Sequence, residues 1–186
     1  MANVRIGDRL IPFRLKGVDG KQHASDDERG DKATVVIFTC NHCPYARAWE
    51  DRFIQMQRDY SDRGVRLIAI NANDATKYPA DSLDAMVERA RERGFNFPYL
   101  QDETQAVARA YGAIRTPEVF VFDADNVLRY HGTVDDNYED PDAVRSPYLR
   151  NAIESILNAK SVAILETTPV GCTIKWKPEL ASAGGR

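Results

Sequence analysis

No apolar stretch of this 186-residue chain approaches the roughly 18 residues that a membrane-spanning helix needs. Its longest runs, such as Val35 to Phe38 and Val119 to Phe122, have the length of core strands. The first residues, Met1-Ala2-Asn3-Val4-Arg5-Ile6-Gly7, lack the apolar segment of a secretory signal, so a cytoplasmic location is expected. An excess of one charge is also missing: 25 Lys+Arg stand against 28 Asp+Glu, a net charge of −3, with no block of consecutive basic residues. That excludes a general electrostatic grip on nucleic acid or an anionic membrane, so neither is an expected partner. Cysteine is scarce as well. Three are too few for a disulfide scaffold, yet two of them stand together as Cys40-Asn41-His42-Cys43. In a reducing compartment such a pair is more often chemical than structural.

What is present divides into one α/β domain, residues 1–160, and a tail, 161–186, expected to pack on or near it. Up to about Asp31, glycines and Pro12 punctuate short strands, and Phe13-Arg14-Leu15 with the Asp19-Gly20 turn predicts a small N-terminal hairpin. Thr34 to Thr39 is a β-branched and aromatic run of the kind buried on both faces, with Cys40 at its carboxyl end. Beyond Pro44, which suits a first helical turn, Ala46, Trp49, Phe53, Met56 and Tyr60 recur in steps of three and four, predicting a helix with one buried stripe. Gly64 closes that region and Val65 to Ile70 is a second buried strand, which completes a right-handed βαβ unit.

Further helices are expected over Asp81 to Arg93 and Thr104 to Tyr111, the second with Asp102 and Gln105 spaced like a capping box. Between them, Phe95 to Leu100 is expected as a short edge strand broken by Pro98. Glu118 to Phe122 and Val127 to His131 suit an antiparallel hairpin, and a last helix is expected from Pro147 to Ala159. The tail has strand-like alternation around Ile174 and Trp176, and its end, Ala181 to Arg186, is expected to be mobile.

The chemistry concentrates at Cys40 and Cys43. Two cysteines two residues apart, between a buried strand and a helix N-terminus, bring their sulfurs near bonding distance, and the helix N–H groups and dipole stabilise a thiolate. His42 between them would, when protonated, lower the thiolate pKa further and make the disulfide more oxidising. Thr116-Pro117, directly before the hairpin strand, would face this loop. A cis bond there would leave backbone groups free to hold an extended substrate. Zinc or copper held by the cysteines is the competing use, but zinc wants about four ligands and the other candidates, His42, Cys172, His23 and His131, are scattered. No metal and no other cofactor is expected.

Together these features resemble the thioredoxin superfamily, and more narrowly its peroxiredoxin-like (AhpC/TSA-like, redoxin-type) branch bearing a thioredoxin-type Cys-x-x-Cys. The resemblance rests on Phe38-Thr39-Cys40-Asn41-His42-Cys43-Pro44-Tyr45, on Pro98 to Gln105, on Thr116-Pro117-Glu118 and on Gly171-Cys172-Thr173-Ile174-Lys175-Trp176-Lys177. It implies a thioredoxin fold, a central mixed sheet flanked by helices, with an N-terminal hairpin and an insertion between the βαβ unit and the C-terminal hairpin. It further implies a thiol–disulfide oxidoreductase acting on protein or small-molecule disulfides, or on peroxides, and recharged by a thioredoxin reductase or glutathione system. In the thioredoxin assignment Cys40 is the exposed nucleophile and Cys43 resolves. In the peroxidase assignment Cys43 is attacked by peroxide, but Cys40 replaces the usual Thr and the active-site Arg has no clear match. The strand Val35 to Phe38 also lacks a buried Asp to take a proton from the resolving thiol, and Glu118 is the candidate substitute.

Weaker signals are given structural roles. Cys172 is expected to be a half-buried tail residue rather than a third thiol. His23 and His131 are expected to be solvated, Asp135 to Asp142 a solvated acidic loop, and Trp49 and Phe53 core residues.

Overall fold

The structure, a computed structural model, describes residues 3–179. The end of the tail, Ala181 to Arg186, lies outside them. Strand β1 (Arg14–Gly17) and β2 (Gln22–Ala24) form the N-terminal hairpin, followed by the single turn α1 (Ser25–Glu28). Then come β3 (Ala33–Phe38), α2 (Pro44–Tyr60), β4 (Val65–Asn71), α3 (Leu83–Arg93), β5 (Tyr99–Gln101) and α4 (Ala106–Tyr111). The two-residue β6 (Arg115–Thr116) precedes the hairpin β7 (Glu118–Asp123) and β8 (Leu128–Gly132), α5 (Tyr148–Leu157) and the short tail strand β9 (Cys172–Thr173).

Seven strands form one mixed sheet in the order β2-β1-β5-β4-β3-β7-β8. β3, β4 and β5 run parallel, while β7 lies antiparallel to β3. Every residue of β3 is buried because successive side chains enter opposite layers. Val35 and Ile37 meet Trp49, Phe53 and Met56 of α2, Met86 of α3 and Leu149 and Ile153 of α5. Val36 and Phe38 face Phe120, Phe122, Ala108 and Tyr111 on the other side. Each fully buried large side chain contributes about 1.5–3 kcal/mol, so this double-sided strand anchors the loop that leaves it. The result is the thioredoxin fold. Among the described residues, no helix is long and apolar enough to cross a membrane.

Several expected boundaries move. β5 follows Pro98 instead of preceding it, and it is an interior strand between β4 and β1. Pro98 has no N–H to give to a ladder but still offers its carbonyl to Ala69 N at 2.9 Å, which suits the first position of a strand. α3 begins at Leu83 because Pro79–Asp81 form a 3-10 turn and Ser82 is the cap, its hydroxyl accepting from Ala85 N. No capping box forms at α4. Asp102 accepts from Ala108 N, and the Gln105 side chain turns away to Ala72 and the tail. The tail is more structured than an extended appendage: Leu165 to Thr167 bond along His131, and β9 pairs with β6 as a second, two-stranded sheet.

Candidate active site

β3 ends at Phe38, and Thr39 makes one more sheet-like bond, its N–H donating to Ile70 O. The next residues carry Cys40, Asn41, His42 and Cys43 into α2. Cys43 occupies the N-cap position with extended backbone, and Pro44 fills the first turn, where a missing N–H costs nothing. Because β3 and β7 are antiparallel with Phe38 opposite Glu118, the residues just before β7 lie beside this loop. They are Thr116 and Pro117, joined by a cis peptide bond. Thr116 touches both sulfurs: its carbonyl is 3.3 Å from Cys43 Sγ and its hydroxyl 3.4 Å from Cys40 Sγ. The structure therefore gathers Cys40, His42, Cys43, Thr116 and Pro117 into one cluster.

All three cysteines are free thiols. The Cys43 sulfur receives the Cys40 thiol and, against its own burial, the Cys172 thiol and the N–H groups of Ala46 and Cys172; these donors bring its pKa down to about 4. Only a protonated Cys43 can donate to Thr116 O, but that single acceptor is outweighed by the donors around it. Cys40 holds its proton: its bond to Cys43, its burial and the facing Asp81 charge all push its pKa up. Cys172 is pushed up to about 11, mainly by burial and then by its bond to Cys43.

The expectation of an exposed Cys40 is corrected. Cys40 is 2% exposed and Cys43 0%. Tyr45 and the tail residue Cys172 pack over the pair. Cys172 is half-buried as expected, but its sulfur is aimed at Cys43 rather than lost in an apolar patch.

Behind the motif lies a polar network that sequence reasoning missed. The Asp81 carboxylate, from the 3-10 turn, is buried and accepts from Asn41 N at 2.7 Å, Asn71 Nδ2 at 3.0 Å, Asn73 Nδ2 at 3.0 Å and His42 Nδ1. Tyr99 OH donates to Asn41 Oδ1 at 2.7 Å, and the His42 ring stacks on Tyr78. A signal was available: Asn71-Ala72-Asn73 stands at the carboxyl end of a parallel strand, where open α/β sheets collect functional groups. Ligand atoms of Cys40, His42 and Asp81 lie within 4.8 Å of one another. Both Asp81 oxygens accept from N–H donors, which ties this group into the hydrogen-bond network behind the motif. Of the other sequence candidates for a metal, Cys172 lies against the cysteine pair, while His23 and His131 are not brought to it.

Three further expectations are revised. His23 and His131 are half-buried and paired rather than solvated. His23 lies between Glu28 (2.6 Å) and Asp19 (2.9 Å), while His131 stacks on Phe120 and reaches Glu118 at 2.6 Å. Glu118 is occupied away from the sulfurs, accepting from the N–H groups of Ile114 and Arg115 as well as from His131. Asp135 is buried, holding Trp49 Nε1 and Arg52, so only the loop beyond it is open to solvent. Trp49 and Phe53 are core residues, as expected.

The fold recurs in proteins of similar sequence. The chain is 40% identical to an uncharacterized conserved protein from Geobacillus kaustophilus, whose crystal structure superposes with a TM-score of 0.89 over 94% of this chain and 93% of that one. A hypothetical protein from Sinorhizobium meliloti 1021 is 32% identical, with a TM-score of 0.88 over 95% and 97% of the two chains. The thiol-disulfide oxidoreductase ResA of Geobacillus thermodenitrificans is 25% identical over 126 residues, 68% of each chain. Residues 6–131, which hold the Cys40–Cys43 motif, its polar network and the cis-proline, match the AhpC/TSA family, and the chain belongs to that family.

Proposed function

We propose that this chain is a thiol–disulfide oxidoreductase that cycles Cys40 and Cys43 between dithiol and disulfide. The observation that carries this is the pairing of a favoured Cys43 thiolate at the start of α2 with a protonated Cys40 thiol beside it. The ResA relative, named for this activity, supports the same class.

In this scheme the Cys43 thiolate attacks one sulfur of a substrate disulfide. The substrate S–S bond breaks, one thiolate leaves and takes a proton, and a mixed disulfide remains on Cys43. Cys40 then gives up its proton and attacks the Cys43 sulfur, releasing the second substrate thiol. The substrate has gained two electrons and the chain holds a Cys40–Cys43 disulfide until a cytosolic reductant, a thioredoxin reductase or glutathione system, returns them. Asp81, hydrogen-bonded to His42 and close to Cys40, is the acceptor for the Cys40 proton, the role that Glu118 was expected to fill. The Thr116-Pro117 edge holds the substrate backbone.

A peroxidase is the second reading, favoured by the same low Cys43 pKa and by family membership. A hydroperoxide would oxidise Cys43 to a sulfenic acid, and Cys40 would condense with it, releasing water. The nearby arginines are committed elsewhere, Arg47 to Asn41 O at 2.6 Å and Arg115 to Gly171 O at 3.2 Å, so that among the described residues no guanidinium bonds to the sulfurs to polarise an O–O bond.

The test is insulin reduction driven by dithiothreitol, with wild type, Cys40→Ser and Cys43→Ser side by side. Activity in the wild type that both variants lack is the expected result; equal turbidity curves would remove the oxidoreductase reading. Peroxide consumption that survives Cys40→Ser and vanishes in Cys43→Ser would promote the peroxidase in its place.

A further inference from the structure

The tail strand β9 lies along the edge that the proposed function assigns to substrate. Thr116 pairs with Cys172 and Arg115 with Thr173, antiparallel, beside the cis-proline. Ile174 N donates to Ile114 O at 3.0 Å, Thr116 Oγ1 to Cys172 O at 3.4 Å and Arg115 Nη1 to Gly171 O at 3.2 Å. An extended peptide laid against that edge would take the same backbone bonds.

The tail is seated on both sides of this contact. A Cβ on Gly171 would lie 2.0 Å from the Thr116 carbonyl oxygen, so only glycine lets the strand come this close. Farther along, Ile174 is 3% exposed, Lys175 N donates to Asn73 Oδ1 at 2.9 Å, and Arg109 stacks over Trp176. Asn73 is also a donor to Asp81, so one amide joins the seated tail to the network that holds His42. This docking directs both the thiol and the backbone N–H of Cys172 at the Cys43 sulfur.

We propose that Cys172 is a third redox thiol of the site: β9 docks as an internal substrate, and Cys172 exchanges with Cys43 when Cys40 and Cys43 are joined. This rests on the dithiol–disulfide reading above. In the step, the Cys172 thiolate attacks Cys43 Sγ, the Cys43–Cys40 bond breaks, a Cys43–Cys172 bond forms, and Cys40 leaves and takes up the proton that Cys172 lost. No electrons enter or leave, so no outside oxidant or reductant is needed. The consequence is a shielded oxidised form in which Cys43 is sealed beneath the tail until a reductant or a competing substrate displaces β9. Being tethered, the tail competes at an effective concentration on the order of millimolar or more, which sets the hurdle for an external disulfide.

The experiment is disulfide mapping. The full chain, reduced and then oxidised with one equivalent of diamide, is acid-quenched, its free thiols are blocked with N-ethylmaleimide, and its peptides are read by mass spectrometry without reduction. Wild type is expected to yield both Cys40–Cys43 and Cys43–Cys172. Cys40→Ala, in which diamide takes the two electrons directly, is expected to yield Cys43–Cys172 within a single chain. Gly171→Ala keeps all three thiols but pushes the strand off Thr116, so Cys43–Cys172 is expected to fall roughly tenfold, a change of about 1.4 kcal/mol in docking, while Cys40–Cys43 persists. Blocked, unpaired Cys43 and Cys172 in Cys40→Ala, or bonds formed only between chains, would overturn the proposal. Cys43–Cys172 without any Cys40–Cys43 in wild type would instead overturn the dithiol cycle on which the exchange step depends.

Discussion

Buried Asp81 holds the Nδ1 of His42, whose side chain is 30% exposed, across 39 residues of sequence. The motif histidine is therefore oriented by a carboxylate from outside the motif, and the same carboxylate faces Cys40 and helps to keep it protonated. Tuning of the cysteine pair is a property of this assembly rather than of His42 alone.

Asp81→Asn should lower the pKa of Cys40, since a charge that opposes its ionisation is removed. The new amide donor also faces N–H groups that had an acceptor, at a cost of about 1–3 kcal/mol. The pH dependence of Cys40 alkylation, compared between Cys43→Ala and the Cys43→Ala/Asp81→Asn double variant, isolates the first effect, and urea denaturation gives the second. An unmoved alkylation profile would show that Asp81 does not govern Cys40.

The Cys43 thiolate depends first on the Cys40 thiol. With its folded pKa at about 4, below the ~8.5 of an unfolded thiol, Cys43 contributes stability that is complete above the unfolded value and is lost as pH falls through about 4. Cys40→Ala should move the Cys43 titration toward higher pH and shrink that contribution. Ultraviolet thiolate absorbance followed through an acid titration reads the midpoint directly, and an identical midpoint in the variant would contradict the assignment.

His23 provides a pH dependence remote from the sulfurs. Burial disfavours its charged form, but hydrogen bonds to Asp19 and Glu28 prevail and raise its pKa. Its stabilisation is fully present below the unfolded value of about 6.5 and disappears as pH rises through the raised folded value. His23→Gln should therefore lose more stability at about pH 5.5 than at about pH 9, as measured by urea midpoints; equal losses at both would be the contrary result.

Asp135 joins the loop after β8 to α2 through Trp49 and Arg52. Asp135→Ala leaves a buried indole N–H without its acceptor and removes the carboxylate partner of a mostly buried Arg52, which keeps only the Asn137 and Tyr138 carbonyls, at a cost of about 2–3 kcal/mol. Chemical denaturation should register this as a lower midpoint with an unchanged slope. A shift within experimental scatter would show that solvent replaces the carboxylate.

The legible parts of the chain were those whose pattern is local. The step of three and four from Ala46 to Tyr60 specifies α2, and the unbroken apolar runs specify β3, β4 and β7, because one helix face or two sheet layers must be apolar for those elements to be buried. With them came the strand-end placement of Cys40 and the nearness of Thr116-Pro117. Asp81 was not legible, since its importance arises only where a 3-10 turn meets the end of β4 and the Cys40 loop. β9 was harder still: two residues carry no periodicity, and their partner strand lies 56 residues away. His131 was misplaced for a related reason, because a strand-end position says nothing of the Glu118 side chain brought next to it by the β7–β8 register.

The seating of β9 also bears on how the molecule behaves in a crowd. β6 is a short strand with apolar Ile114, 56% exposed, beside it, and a bare edge of that kind is a template on which another chain can pair. With Cys172 to Ile174 in place, β6 is paired along its length, the Ile114 carbonyl and the Thr116 hydroxyl are already bonded to the tail, and the sticky margin is closed. A molecule whose tail has lifted is therefore both reactive and adhesive, so concentrated solutions should drive it toward edge-paired dimers.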